Sequence, residues 1–114
     1  MEPWDNIRAL DGVGGDVQFL NEVAGIFCAA YPTLLRSLAK SIAAKDPNGA
    51  ADSARLLGGA ARNLAARRVA EMAFAIEAMA RRTEFAGIES AYHALRQEVE
   101  RLAEALKKFR SRQY

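Results

Sequence analysis

From residue 16 onward, apolar residues return every three or four positions: Leu20, Val23, Phe27 and Tyr31 form one stripe, which resumes after Pro32 with Leu34, Leu35, Leu38 and Ile42. That period keeps one side of an α-helix against a core. Val, Ile and Thr never alternate with polar residues as a half-buried strand requires, so the chain reads as all-α. Pro32 is expected to bend or divide the first long segment, because proline removes a backbone donor and crowds the preceding turn. Residues 45–49 read as a loop that also starts a helix, with Asp46 as the cap and Pro47 in the first position. Three more stripes follow: Ala50, Ala54, Leu57, Ala61 and Leu64; then Val69, Met72, Ala73, Ile76 and Met79; then Ile88, Tyr92, Leu95, Val99, Leu102 and Leu106. Phe74 is out of phase with its stripe and is expected to be exposed. The connections at 65–68 and 82–85 are short, which forces sequence neighbours to pack antiparallel. The expected fold is an antiparallel up-down four-helix bundle over residues 16–110, with residues 1–15 as an N-terminal lid, all in one domain spanning 1–114.

Composition narrows the function classes. The chain has 114 residues, 51% of them hydrophobic and 26% charged, enough to bury one core and too apolar for a disordered chain. No apolar run approaches the roughly 20 residues a bilayer requires, and residues 1–8 lack the basic start and apolar stretch of a secretory signal. A cytoplasmic location is the expectation. Cys28 is the only cysteine, so neither an internal disulfide nor a cysteine-rich metal site is available, and its neighbours Phe27 and Ala29 suggest a buried thiol. The net charge of +2 is mild for a dedicated nucleic-acid binder. Asp11, Gly12, Gly14, Gly15 and Asp16 read as a turn and a helix cap in preference to a phosphate cradle, since no strand precedes them and dinucleotide spacing is absent.

One place in the third stripe breaks a local rule. Gly58 and Gly59 lie side by side inside a helical pattern, although each costs about 1 kcal/mol there relative to alanine. Leu57, Ala61 and Leu64 stay in phase across the pair, which favours close approach of another backbone over helix termination. Arg55, Gly59 and Arg62 are spaced four and three apart and so share one outward face.

Here the sequence resembles the histidine-containing phosphotransfer (HPt) domains of bacterial phosphorelays. Gly14-Gly15-Asp16 with Phe19-Leu20 is similar to the start of that family's first long helix, and Tyr31-Pro32 with Leu34-Leu35 resembles its proline bend. The run from Ala54 through Arg55, Leu56, Leu57, Gly58, Gly59, Ala60, Ala61, Arg62 and Asn63 to Leu64 resembles its signature helix of Ala-His-x-Leu-Lys-Gly, several small residues, then Asn-Leu-Gly. The resemblance spans roughly residues 10 to 108. It also marks departures: Arg55 stands where the family carries its phospho-accepting histidine, Gly58 where it carries lysine, and Ala65 where it ends the helix with glycine. What the resemblance then implies is a degenerate member, not an enzyme, that docks a receiver domain or a histidine kinase through Arg55, Leu56, Gly58, Gly59 and Arg62 and regulates signalling without phosphotransfer. Neither cofactor nor metal is expected.

Alternative readings stay open. An active phosphorelay protein would use another residue, with His93 the single histidine, or would have been altered by substitution at position 55; loss of the lysine position as well speaks for natural divergence. Nucleic-acid binding would use Arg55, Arg62, Arg67 and Arg68, or the tail residues Lys107, Lys108, Arg110 and Arg112. Against the tail, cations at a helix carboxyl end have a simpler role beside the macrodipole, and Glu98, Glu100 and Glu104 repel phosphates. Glu89 and His93 have a spacing one metal accepts, but no second histidine or cysteine completes a site. Serines 37, 41, 53 and 90 lack any nucleophile signature. The oligomeric state is not legible from the sequence.

Overall fold

The computed structural model describes residues 4–112, which form five helices: α1 (Asn6–Gly12), α2 (Val17–Ala43), α3 (Pro47–Asn63), α4 (Arg67–Arg81) and α5 (Ile88–Ser111). No strand occurs among the described residues. Helix α2 packs on α3, α3 on α4, α4 on α5, and α5 returns to α2, which closes the four long helices into the expected up-down bundle. The core runs along the bundle axis through Leu20, Leu38, Leu57, Leu64, Ile76, Leu95 and Leu102, none of which reaches solvent. On α3 the buried stripe is unusually small: Ala50, Ala51, Ala54 and Ala61 are all fully enclosed, so α2 and α4 approach this helix closely.

Three aspartates start helices, as the sequence suggested for Asp46 and for the loop that ends in Asp16. Asp5, Asp16 and Asp46 accept hydrogen bonds from the N–H groups of Arg8, Phe19 and Gly49 at 3.1, 2.9 and 3.0 Å. Each satisfies a donor that a helix start leaves open. The glycine-rich loop at 12–15 is therefore turn and cap, with the Asp16 carboxylate itself occupying the helix start.

Helix ends follow one device four times. The residue after the C-cap takes a left-handed φ, +67° at Gly14, +53° at Lys45, +55° at Ala65 and +57° at Thr83. The next N–H then reaches back five residues: Gly15 to Leu10 at 2.9 Å, Asp46 to Ser41 at 2.9 Å, Ala66 to Ala61 at 3.0 Å and Glu84 to Met79 at 2.9 Å. This is the paired carbonyl closure of a Schellman motif. Only the first uses glycine, so three side-chain-bearing residues hold a conformation that disfavours them.

Two expectations are narrowed by the structure. Pro32 does not divide the first long segment, because α2 continues through it from Val17 to Ala43; one missing donor is outweighed by burial of Leu20, Ala24, Phe27, Leu35 and Leu38 on the same helix. The N-terminal segment is more than a lid. Of its residues, 1–3 lie outside the described ones, while Trp4 is buried with its Nε1–H donating to the Leu64 carbonyl at 2.8 Å. Its ring meets Phe109 edge to face at 5.3 Å. Residues 5–12 are thus tied to the ends of α3 and α5.

Candidate functional site

Helix α3 has an enclosed side and an open side. Ala54, Leu57 and Ala61 face the core, while Arg55, Leu56 and Arg62 are exposed and Gly59 is partly so. Leu56, next to Arg55 in the chain, is 56% exposed, a large apolar side chain in water. Four of the five residues singled out from the sequence therefore share an accessible surface. Gly58 does not: it is buried, turned toward α4 and away from the open side.

The reason for the glycine pair differs from the one expected. A Cβ at Gly58 would lie 2.7 Å from Cε1 of Phe74, so the close approach is by an aromatic ring of α4 and not by another backbone. At Gly59 nothing lies within 4 Å of an added Cβ. Phe74, expected to be exposed, is half-buried over Gly58, and the Arg62 guanidinium sits over its ring, 5.7 Å from the centroid. Such a contact contributes about 0.5–1 kcal/mol at an exposed site. Sequence reading singled out Phe74 as out of phase but missed its contact with Gly58. The available signal was that α3 and α4 run antiparallel around a short turn, which sets an out-of-phase aromatic on one opposite a glycine on the other.

The two glycines should respond oppositely to alanine. Gly59→Ala is expected to raise unfolding stability by about 0.5–1 kcal/mol, the ordinary gain in a helix interior with open space above it. Gly58→Ala should lower it by about 1–3 kcal/mol through forced displacement of Phe74. Urea unfolding followed by circular dichroism distinguishes them, and equal effects would contradict the packing described here.

Charge pairing sharpens the picture. Arg68 meets Glu98 at 3.5 Å and Arg101 meets the same carboxylate at 3.1 Å, Arg81 meets Glu77 at 3.1 Å and Asp52 at 3.7 Å, and Arg82 and Arg96 pair with Glu84 and Glu100. Among the described residues, Arg55, Arg62 and Arg67 meet none. Of the four arginines considered for nucleic acid, Arg68 is thus engaged within the bundle. In the tail, Arg110 lies across Gly25 of α2, where an added Cβ would come 2.9 Å from its guanidinium carbon.

The remaining candidates lie elsewhere. His93 is exposed on α5 with its ring 5.7 Å from that of Tyr92, and Tyr92 donates its hydroxyl to the Leu35 carbonyl at 3.3 Å. Cys28 is half-buried, less enclosed than expected. Burial pushes its thiol above the ordinary value, with Arg110 and Lys107 pulling partly the other way, which leaves it a poor nucleophile. Among the described residues no three His, Cys, Asp or Glu side chains converge as a metal site. No helix of the described chain is long and apolar enough to cross a membrane.

The four long helices form a closed antiparallel bundle that exposes the middle of α3, where Arg55 and Arg62 flank a partly exposed glycine and have no carboxylate partner among the described residues. The chain belongs to the Hpt domain family, whose model matches residues 22–105. Hpt domains are the phosphotransfer domains of two-component phosphorelays and interact with receiver domains or histidine kinases. Among curated proteins and among solved structures, none matches the chain.

Proposed function

We propose that this Hpt domain docks a receiver domain or a histidine kinase through the outward side of α3 and regulates signalling without carrying phosphate itself. The observation that carries this reading is Arg55, exposed and free of any carboxylate partner among the described residues, at the position where the signature helix is expected to hold its phospho-accepting histidine. A histidine relays phosphate because a neutral imidazole nitrogen attacks phosphorus and later returns the group; a guanidinium has no comparable lone pair. It is instead suited to grip. Its planar fork binds carboxylates bidentately, and Arg is among the residues that dominate interface energies.

The neighbours support the same role. Leu56 offers an apolar contact that stays in water until a partner covers it, and the open space above Gly59 admits a partner loop. The domain acts by occupying, bridging or blocking its partner, without an active site or cofactor of its own.

Binding of receiver domains from the same genome to the immobilised chain tests this. Arg55→Ala and Gly59→Leu should each weaken the tightest interaction at least about tenfold, or roughly 1.4 kcal/mol. Unchanged affinity in both variants would remove α3 from the interface. Incubation with a phosphorylated receiver should leave the chain unmodified. A phosphorylated form, on His93 or elsewhere, that passes its phosphate to a response regulator would establish an active relay in place of this reading. Transfer gained by Arg55→His would show that the rest of the site is intact.

A further inference from the structure

Beyond the centre of that surface, where α3 turns into α4, lies a groove of about 300 Å3 lined by Arg62, Ala65, Arg67, Ala70, Glu71 and Phe74. Its floor is apolar: Ala70 is buried, and Ala65 and Phe74 are half-buried. Its rim carries two guanidiniums against one carboxylate, and among the described residues neither Arg62 nor Arg67 forms an ion pair, although five other arginines on α4, α5 and their connection do. Arg62 is held over the Phe74 ring, 5.7 Å from its centroid, a contact that uses no N–H donor in a conventional hydrogen bond.

We propose that this groove receives an acidic segment of a protein partner that carries one large apolar side chain. The apolar group seats on Ala65, Ala70 and Phe74, and a carboxylate beside it reaches Arg62 and Arg67. Charge complementarity selects the partner: the rim has an excess of positive charge that nothing in the bundle neutralises. The apolar floor favours a peptide over a nucleic-acid strand, and Glu71 on the rim opposes a run of phosphates. The proposal rests on the docking reading to the extent that Arg62 belongs to both; it extends the interface from the middle of α3 to the first turn of α4.

Titration of the full 15N-labelled chain with three short peptides tests the groove without any receiver. One peptide alternates Asp or Glu with Leu and Phe; the second replaces its acids with Lys; the third replaces its large apolar residues with Ala. The first should shift the amides of residues 62–74 and bind at least about fivefold more tightly than either control. Arg67→Glu should weaken it about fivefold or more, and Glu71→Gln should strengthen it about twofold, both being exposed rim positions. Absence of binding, equal binding by the Lys peptide, or shifts spread over Lys107, Lys108 and Arg112 would overturn the proposal. So would displacement by a short oligothymidylate at equal charge, which would assign the groove to nucleic acid. The outcomes separate from those for docking. A receiver whose affinity depends on Arg55 but not on Arg67 or Glu71, together with no peptide binding, removes the groove and keeps the docking face. Peptide binding in the groove with no receiver bound does the reverse.

Discussion

Trp4→Ala is expected to lower unfolding stability by about 3–5 kcal/mol, among the largest losses any single substitution here would cause. Three effects combine. The ring is 6% exposed, so its removal opens a cavity between the amino-terminal segment and the bundle. Its edge-to-face contact with Phe109 disappears, and the Leu64 carbonyl loses the indole donor at 2.8 Å. Trp4→Phe separates these contributions: it keeps most of the apolar area and removes the hydrogen bond, so it should cost about 1–3 kcal/mol. Denaturant unfolding followed by circular dichroism reads both variants. A loss below about 1 kcal/mol for Trp4→Ala would mean that residues 4–12 are not part of the cooperative unit.

The second large effect is Leu57→Ala, expected to cost about 2–5 kcal/mol. Leu57 is fully buried and lies directly behind the stretch of α3 that carries Arg55 and Gly59, among small neighbours that cannot expand to fill the space. Its removal should nonetheless leave the docking side chains in place. Well below the unfolding temperature, the variant should bind any receiver partner with close to the original affinity, while Arg55→Ala shows the opposite combination. A Leu57→Ala protein that is fully folded but no longer binds would mean that the core position, and not the exposed cation, governs recognition.

How far the sequence carries can be argued from particular residues. The stripes from Leu20 to Leu106 predicted four long helices because helical burial imposes a period that substitutions cannot hide, and the short turns left an antiparallel bundle as the simplest closure. The helix ends were harder to read. Lys45, Ala65 and Thr83 hold left-handed positions that sequence reasoning assigns to glycine, so the usual stop signal is missing from three of four closures. The N-terminal anchor was not legible either, because Trp4 bonds a carbonyl sixty residues away and no local pattern encodes such a partner.

The same limit applied to the site. Spacing alone placed Arg55, Gly59 and Arg62 together, since they belong to one helix. The family resemblance added Gly58 to that set and left Phe74 apart, since the contact that relates those two runs between helices. A single periodicity describes what an element shares along its own axis; which side chain rests on which glycine depends on the rotation of two elements about each other.

The alanine-lined seam of α3 has a mechanical consequence. With Ala50, Ala51, Ala54 and Ala61 pressed against adjacent helices, there is little side-chain slack through which α3 could roll or slide. The surface it offers is then preformed, and complex formation incurs little ordering cost on this side. Under the proposed docking role, any adjustment of shape would fall to the visiting molecule, and partners would be selected by fit to a fixed surface.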